Sequence, residues 1–81
     1  MRLRGLHGEG RERAAWRVLV PVTALVAGRH FDELEFHLRA ALRNGLTRDE
    51  IVEVLLQTAV YCGVPAANSA FAVASRVLPD L

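Results

Sequence analysis

The sequence has no lysine; all ten of its basic residues are arginine. Genome composition alone produces such a bias, so no function is drawn from it. Cysteine is nearly absent as well. The lone Cys62 excludes an internal disulfide and any zinc site made only of cysteines within one chain, and a reducing, cytoplasmic setting is expected. Long hydrophobic runs are missing. The best of them, residues 18–27, contains Pro21 and is too short to cross a bilayer. Nor does the amino terminus read as a leader, because Gly5, His7, Gly8, Glu9 and Gly10 stand where an apolar segment would be required. No membrane partner is expected.

An excess of one charge is also lacking. Ten basic against nine acidic residues leave a net +1, which gives no general pull toward nucleic acid. The distribution is uneven: residues 1–17 hold five arginines and two glutamates, the rest five arginines and seven acids. Residues 1–10, with three glycines, read as a flexible basic arm. It is either a solvated terminus or a contact for a polyanion.

What the chain does have is apolar residues, 52% of the total against roughly 45–50% in soluble domains. Much of the surplus is alanine and valine. A chain of 81 residues makes one domain, here residues 11–81, and buries only about 60–65% of its unfolded surface. Burial between subunits is the expected use of that surplus, so a homo-oligomer is anticipated.

The periodicity is helical throughout, and no stretch alternates long enough to argue a strand. From Arg11, the residues Ala14, Ala15, Trp16 and Leu19 offer a packing face. Pro21 either kinks this helix or opens a second one, and Leu25 and Val26 continue the face to Gly28. A helix over residues 31–44 is expected from Phe31, Leu34, Leu38, Ala41 and Leu42, with Asn44-Gly45 as its stop. Thr47 and Glu50 have the spacing of a capping box that starts the next helix. Its buried stripe is expected to hold Ile51, Val52, Leu55, Leu56 and Ala59. Pro65 opens a last, alanine-rich helix, which Pro79 stops.

The stretch His37-Leu38-Arg39-Ala40-Ala41-Leu42-Arg43-Asn44-Gly45-Leu46-Thr47 resembles the central motif of carboxymuconolactone decarboxylases. So do Glu50-Ile51, Glu53-Val54-Leu55-Leu56-Gln57 and the run Tyr61-Cys62-Gly63-Val64-Pro65-Ala66-Ala67-Asn68 with Ala70-Phe71. The likeness is close over residues 28–78 and loose over 11–27. It implies an all-α fold, a compact helical bundle of the carboxymuconolactone decarboxylase or AhpD-like type. The chain is N-terminally shortened by comparison, since family members carry further helices before this segment. The resemblance also implies assembly as a trimer or hexamer. Relatives with alkylhydroperoxidase activity have two cysteines ahead of the counterpart of His37. His30 and Glu33 occupy those places here, which argues against that activity.

Glu33 and His37 are the candidate catalytic pair. Four residues apart, they share one helix face, where the carboxylate can orient the imidazole and leave it to move a proton. Read without the resemblance, they are a surface pair and nothing more. The reaction implied by the family is decarboxylation of 4-carboxymuconolactone, or a similar carboxylated unsaturated lactone, to 3-oxoadipate enol-lactone in the breakdown of aromatic compounds. Electrons left by carbon dioxide spread onto the lactone carbonyl, so the substrate is its own electron sink and no cofactor is needed. The substrate is a dicarboxylate. Arg29, Arg39 and Arg43 are candidate carboxylate binders, although Arg39 and Arg43 are neither three nor four residues from His37. Tyr61 and Asn68 are candidates around the last turn, Tyr61 as a donor to the lactone oxygen. Gln57 and Asn68 need polar partners if buried. Cys62 reads as a small core residue rather than a nucleophile, and His7, His30 and His37 lack metal-ligand spacing. The rival reading is a catalytically inactive helical scaffold that only assembles.

Overall fold

A computed structural model describes residues 9–80. Residues 1–8, most of the arm, lie outside this range. Four helices follow in order: α1 (Glu9–Ala27), α2 (Phe31–Arg43), α3 (Arg48–Cys62) and α4 (Val64–Val77).

Each boundary has a local cause. At the end of α1, the amide of His30 donates to Leu25 O at 2.8 Å and that of Arg29 to Val26 O at 3.1 Å. This is a Schellman motif, and its left-handed position is held by Arg29 at φ 58° rather than by glycine. The end of α2 repeats the pattern, with Leu46 N–H on Ala41 O at 3.0 Å and Gly45 N–H on Leu42 O at 3.1 Å. There the left-handed residue is Gly45, φ 99°. The capping box at Thr47 is formed: Thr47 Oγ1 accepts from the Glu50 amide at 3.2 Å, and Glu50 Oε1 accepts from the Thr47 amide at 2.8 Å. Gly63 alone separates α3 from α4, at φ 85° and ψ 160°, and Pro65 lies in the first turn of α4.

The sequence left Pro21 as either a kink or a helix start. It does not start a second helix: α1 runs through it as a single helix. The missing amide bond is outweighed by packing on both sides, where Ala15, Leu19, Val22 and Val26 are fully or almost fully buried.

The core lies between all four helices, with Leu34, Leu38, Ile51, Leu55, Val22, Val26 and Val54 wholly enclosed. The stripe expected on α3 needs one correction. Leu56 is 50% exposed, while Val54 and Thr58 are buried in its place, Thr58 returning its hydroxyl to Val54 O at 2.9 Å. α1 and α3 run parallel, joined near their starts by Arg11 with Glu50 and near their ends by Cys62 with Thr23. α4 returns antiparallel to α3, and Arg48 at the start of α3 meets Asp80 just beyond α4 at 2.6 Å. Among the described residues, no helix is long and apolar enough to cross a membrane.

Candidate functional site

His37 sits at the middle of α2, half-buried, with Leu34 and Leu38 beside it in the core. Its ring meets Phe36 edge-on, the centroids 6.0 Å apart and the planes at 86°. Glu33 is one turn earlier and exposed. The two share a flank of α2, as their spacing requires, but no hydrogen bond or ion pair joins them among the described residues.

Arg39 belongs elsewhere. Two residues beyond His37, it is rotated about 200° around the helix axis, and it reaches toward α4. It donates to Glu35 Oε2 at 3.2 Å and to the carbonyl of Arg76 at 3.3 Å. Arg76 in turn donates to Glu35 Oε1 at 2.8 Å. Hydrogen bonds from Arg76 and then Arg39 hold the Glu35 carboxyl below the usual range. Arg39 is therefore engaged in tying α2 to α4. Sequence reading missed this cluster because Glu35 and Arg76 are forty-one residues apart; only the Glu35–Arg39 spacing hinted at it.

The other candidates lie on different elements. Arg29 lies in the turn before α2 and is exposed, Tyr61 closes α3 at 61% exposure, and Asn68 is exposed in the first half of α4. Glu33, like Arg29, lies near the start of α2, Tyr61 near the end of α3 and Asn68 in the first half of α4, and no hydrogen bond or ion pair joins any two of these side chains among the described residues. Arg43, in the last turn of α2, is exposed at the opposite end of that helix. Tyr61 also lines a cleft of about 280 Å³ with Trp16, Leu19, Val20 and Thr23. Cys62 is half-buried against the core, its thiol 3.7 Å from Thr23 O. Gln57 has a polar partner, donating to Glu53 at 3.4 Å. No three histidine, cysteine or acidic side chains among the described residues converge as a metal site needs.

The fold is an all-α bundle with a half-buried histidine on its second helix. The chain belongs to the carboxymuconolactone decarboxylase family, whose pattern it matches over residues 5–76. It is 45% identical over 65 residues to a 4-carboxymuconolactone decarboxylase of Acinetobacter baylyi, an alignment that covers 80% of this chain and 48% of that protein. It is 35% identical over 65 residues to a nitrosuccinic acid decarboxylase of Metarhizium robertsii, covering 80% and 46%. The chain thus spans about half the length of the curated relatives it matches.

Proposed function

We propose that this chain carries the proton-transfer half of a cofactor-free carboxy-lyase acting on a dicarboxylate such as 4-carboxymuconolactone, and that it works as a homo-oligomer. The two relatives' named substrates share one chemical logic. Carbon dioxide lost from 4-carboxymuconolactone leaves a dienolate with its charge on the lactone carbonyl. Carbon dioxide lost from nitrosuccinate leaves a nitronate with its charge on the nitro group. In each case oxygen holds the electrons until carbon is protonated, and a second carboxylate remains for binding. The protein's tasks are to seat a dianion, stabilise an oxyanion and deliver one proton.

The observation that carries this reading is the position of His37, half-buried at mid-helix with the Glu33 carboxylate one turn away. His37 protonates the carbanion, and Glu33 positions the ring once substrate closes the geometry; hydrogen bonds of this kind often tighten only in the complex. Arg29 supports the same reading. It keeps a left-handed backbone that costs an arginine roughly 1–2 kcal/mol, and such strain gathers at functional positions. Arg29, with Tyr61 and Asn68, binds the substrate. Arg39 and Arg43 are weaker binders, one tied to Glu35 and the other at the far end of α2.

The test is turnover of authentic 4-carboxymuconolactone, followed by loss of its ultraviolet absorbance, beside release of carbon dioxide from nitrosuccinate. Turnover of neither would leave the non-catalytic assembling relative as the better reading. The unjoined Glu33 and His37 side chains are the observation in its favour.

A further inference from the structure

We propose that His30 is a positioning residue: its imidazole, seated against Gly28, latches the turn between α1 and α2 in the register that presents Arg29 to the substrate. The role of Arg29 rests on the decarboxylase reading above, whereas the latch itself does not.

Three consecutive residues of this turn depart from what local backbone chemistry favours. The left-handed position that ends α1 falls to Arg29, at φ 58°, although a glycine stands immediately before it. Gly28 would take such a position at no steric cost, yet it is not left-handed. His30 caps α2 without a side-chain hydrogen bond, where serine, threonine, aspartate or asparagine would supply one.

One contact accounts for all three. A methyl group placed on Gly28 would stand 2.7 Å from Cδ2 and 2.9 Å from Nε2 of His30. The imidazole therefore lies against the bare Cα of residue 28, in space that any other residue's Cβ would fill. Glycine is needed there for the seat and not for its φ. The imidazole is spent on that seat rather than on the cap.

The turn has a competitor free of strain. Moving the helix stop back by one residue would make Gly28 the left-handed residue and release Arg29 from that region. The Gly28 amide would then donate to Leu25 O and the Arg29 amide to Ala24 O. The His30 amide, which in the observed turn donates to Leu25 O at 2.8 Å, would lose its partner. Because the backbone angles of residues 28 and 29 both change, the Arg29 side chain would take another bearing and the ring would leave its seat. Left-handed strain at a residue with a Cβ favours this competitor by about 5- to 30-fold. The seated ring, together with the His30 amide bond, holds the observed register against it. A substrate that binds through Arg29 in that register alone has its affinity divided by the register's population. Loss of the latch therefore falls on KM, and saturating substrate restores kcat.

Two measurements on the full chain test this: KM and kcat on 4-carboxymuconolactone, and hydrogen exchange at the amide of residue 30. His30→Ala should raise KM by between ~3- and ~30-fold, hold kcat and helicity, and speed that exchange. Adding Gly28→Ala to His30→Ala should reverse most of both effects, since a left-handed backbone is then as costly at position 28 as at 29. A merely structural His30 gives instead a double variant no better than the single one. An amide at residue 30 that stays protected in His30→Ala overturns the latch. An amide that opens and closes as expected while KM does not move overturns the positioning of Arg29. A wild type that turns over neither 4-carboxymuconolactone nor nitrosuccinate overturns the decarboxylase reading and the positioning role with it, and the exchange at residue 30 still decides the latch.

Discussion

Arg11 and Glu50 join the first turn of α1 to the first turn of α3. Arg11 Nε donates to Glu50 Oε2 at 3.0 Å, and its terminal nitrogen donates to Oε1 and to the carbonyl of Gly45, the latter at 3.0 Å. Glu50 therefore has two duties, since the same Oε1 closes the capping box on the Thr47 amide. One carboxylate fixes where α3 begins and how α1 lies against it. Replacing Glu50 with alanine should cost about 1–3 kcal/mol, because it strips partners from a helix-start amide and from Arg11. Arg11→Met should cost less, since the capping box survives it. Thermal unfolding of the two variants side by side checks the order.

The same carboxylate gives the fold a defined acid limit. Burial pushes the Glu50 carboxyl up, but hydrogen bonds from Arg11 and Thr47 outweigh it and hold the group below its ordinary value. Glu35 is held low by Arg76 and Arg39. A carboxyl whose pKa is depressed by folding contributes stability above its unfolded pKa, about 4.3, and loses it as pH falls toward the folded value. Denaturant midpoints should be level from about pH 7 to 5 and drop below that. Glu50→Gln should flatten part of the drop. A midpoint that rises on acidification would contradict this account.

Two left-handed positions carry opposite expectations for a change to or from glycine. Gly63 has to link α3 to α4 with no residue to spare, at a backbone conformation that only glycine adopts without strain. Gly63→Ala should destabilise by about 1–3 kcal/mol. Arg29 is the reverse case. Arg29→Gly should stabilise the fold by roughly 1 kcal/mol, by relieving the left-handed penalty. It should also lower activity on a dicarboxylate by removing a binding cation. Equal stability and equal activity would show that Arg29 stands there for neither reason.

Most of the fold was legible because its signals are local. Thr47 with Glu50, Asn44 with Gly45 and Pro65 each fix a boundary within a few residues, and the structure has all three. Leu56 was misplaced because α3 is apolar on both faces, so periodicity cannot tell the core from the outside. Pro21 was ambiguous because its effect depends on how well the flanking residues pack. The candidate site was legible only where it lies on one helix. Glu33 and His37 are related by spacing, whereas the Glu35–Arg76 and Arg11–Glu50 pairings need α2 against α4 and α1 against α3. Arg39 shows the same limit: nothing near it in sequence, apart from Glu35, announces its link to Arg76 on α4.

Substitutions on α2 and α3 test the proposed chemistry. His37→Gln should cut the decarboxylation rate at least ~100-fold, the order for losing a positioned proton donor. Helicity and oligomeric mass should hold, since a half-buried imidazole with only an edge contact to Phe36 leaves no buried partner stranded. Glu33→Gln should cost less. Its side chain is exposed, and the neutral amide can still orient the ring when substrate is bound. Cys62→Ser should keep most activity, because oxygen rather than sulfur holds the electrons in this route. Its thiol makes one weak contact to Thr23 O, which a hydroxyl can replace, leaving a modest loss of stability from a polar atom against the core. The order of effect is therefore His37, then Glu33, then Cys62, measured as kcat on one substrate with each variant's fold checked by circular dichroism. A folded Cys62→Ser protein without activity, beside a His37→Gln protein that still turns over, would remove His37 from the chemistry and place the reacting group on α3.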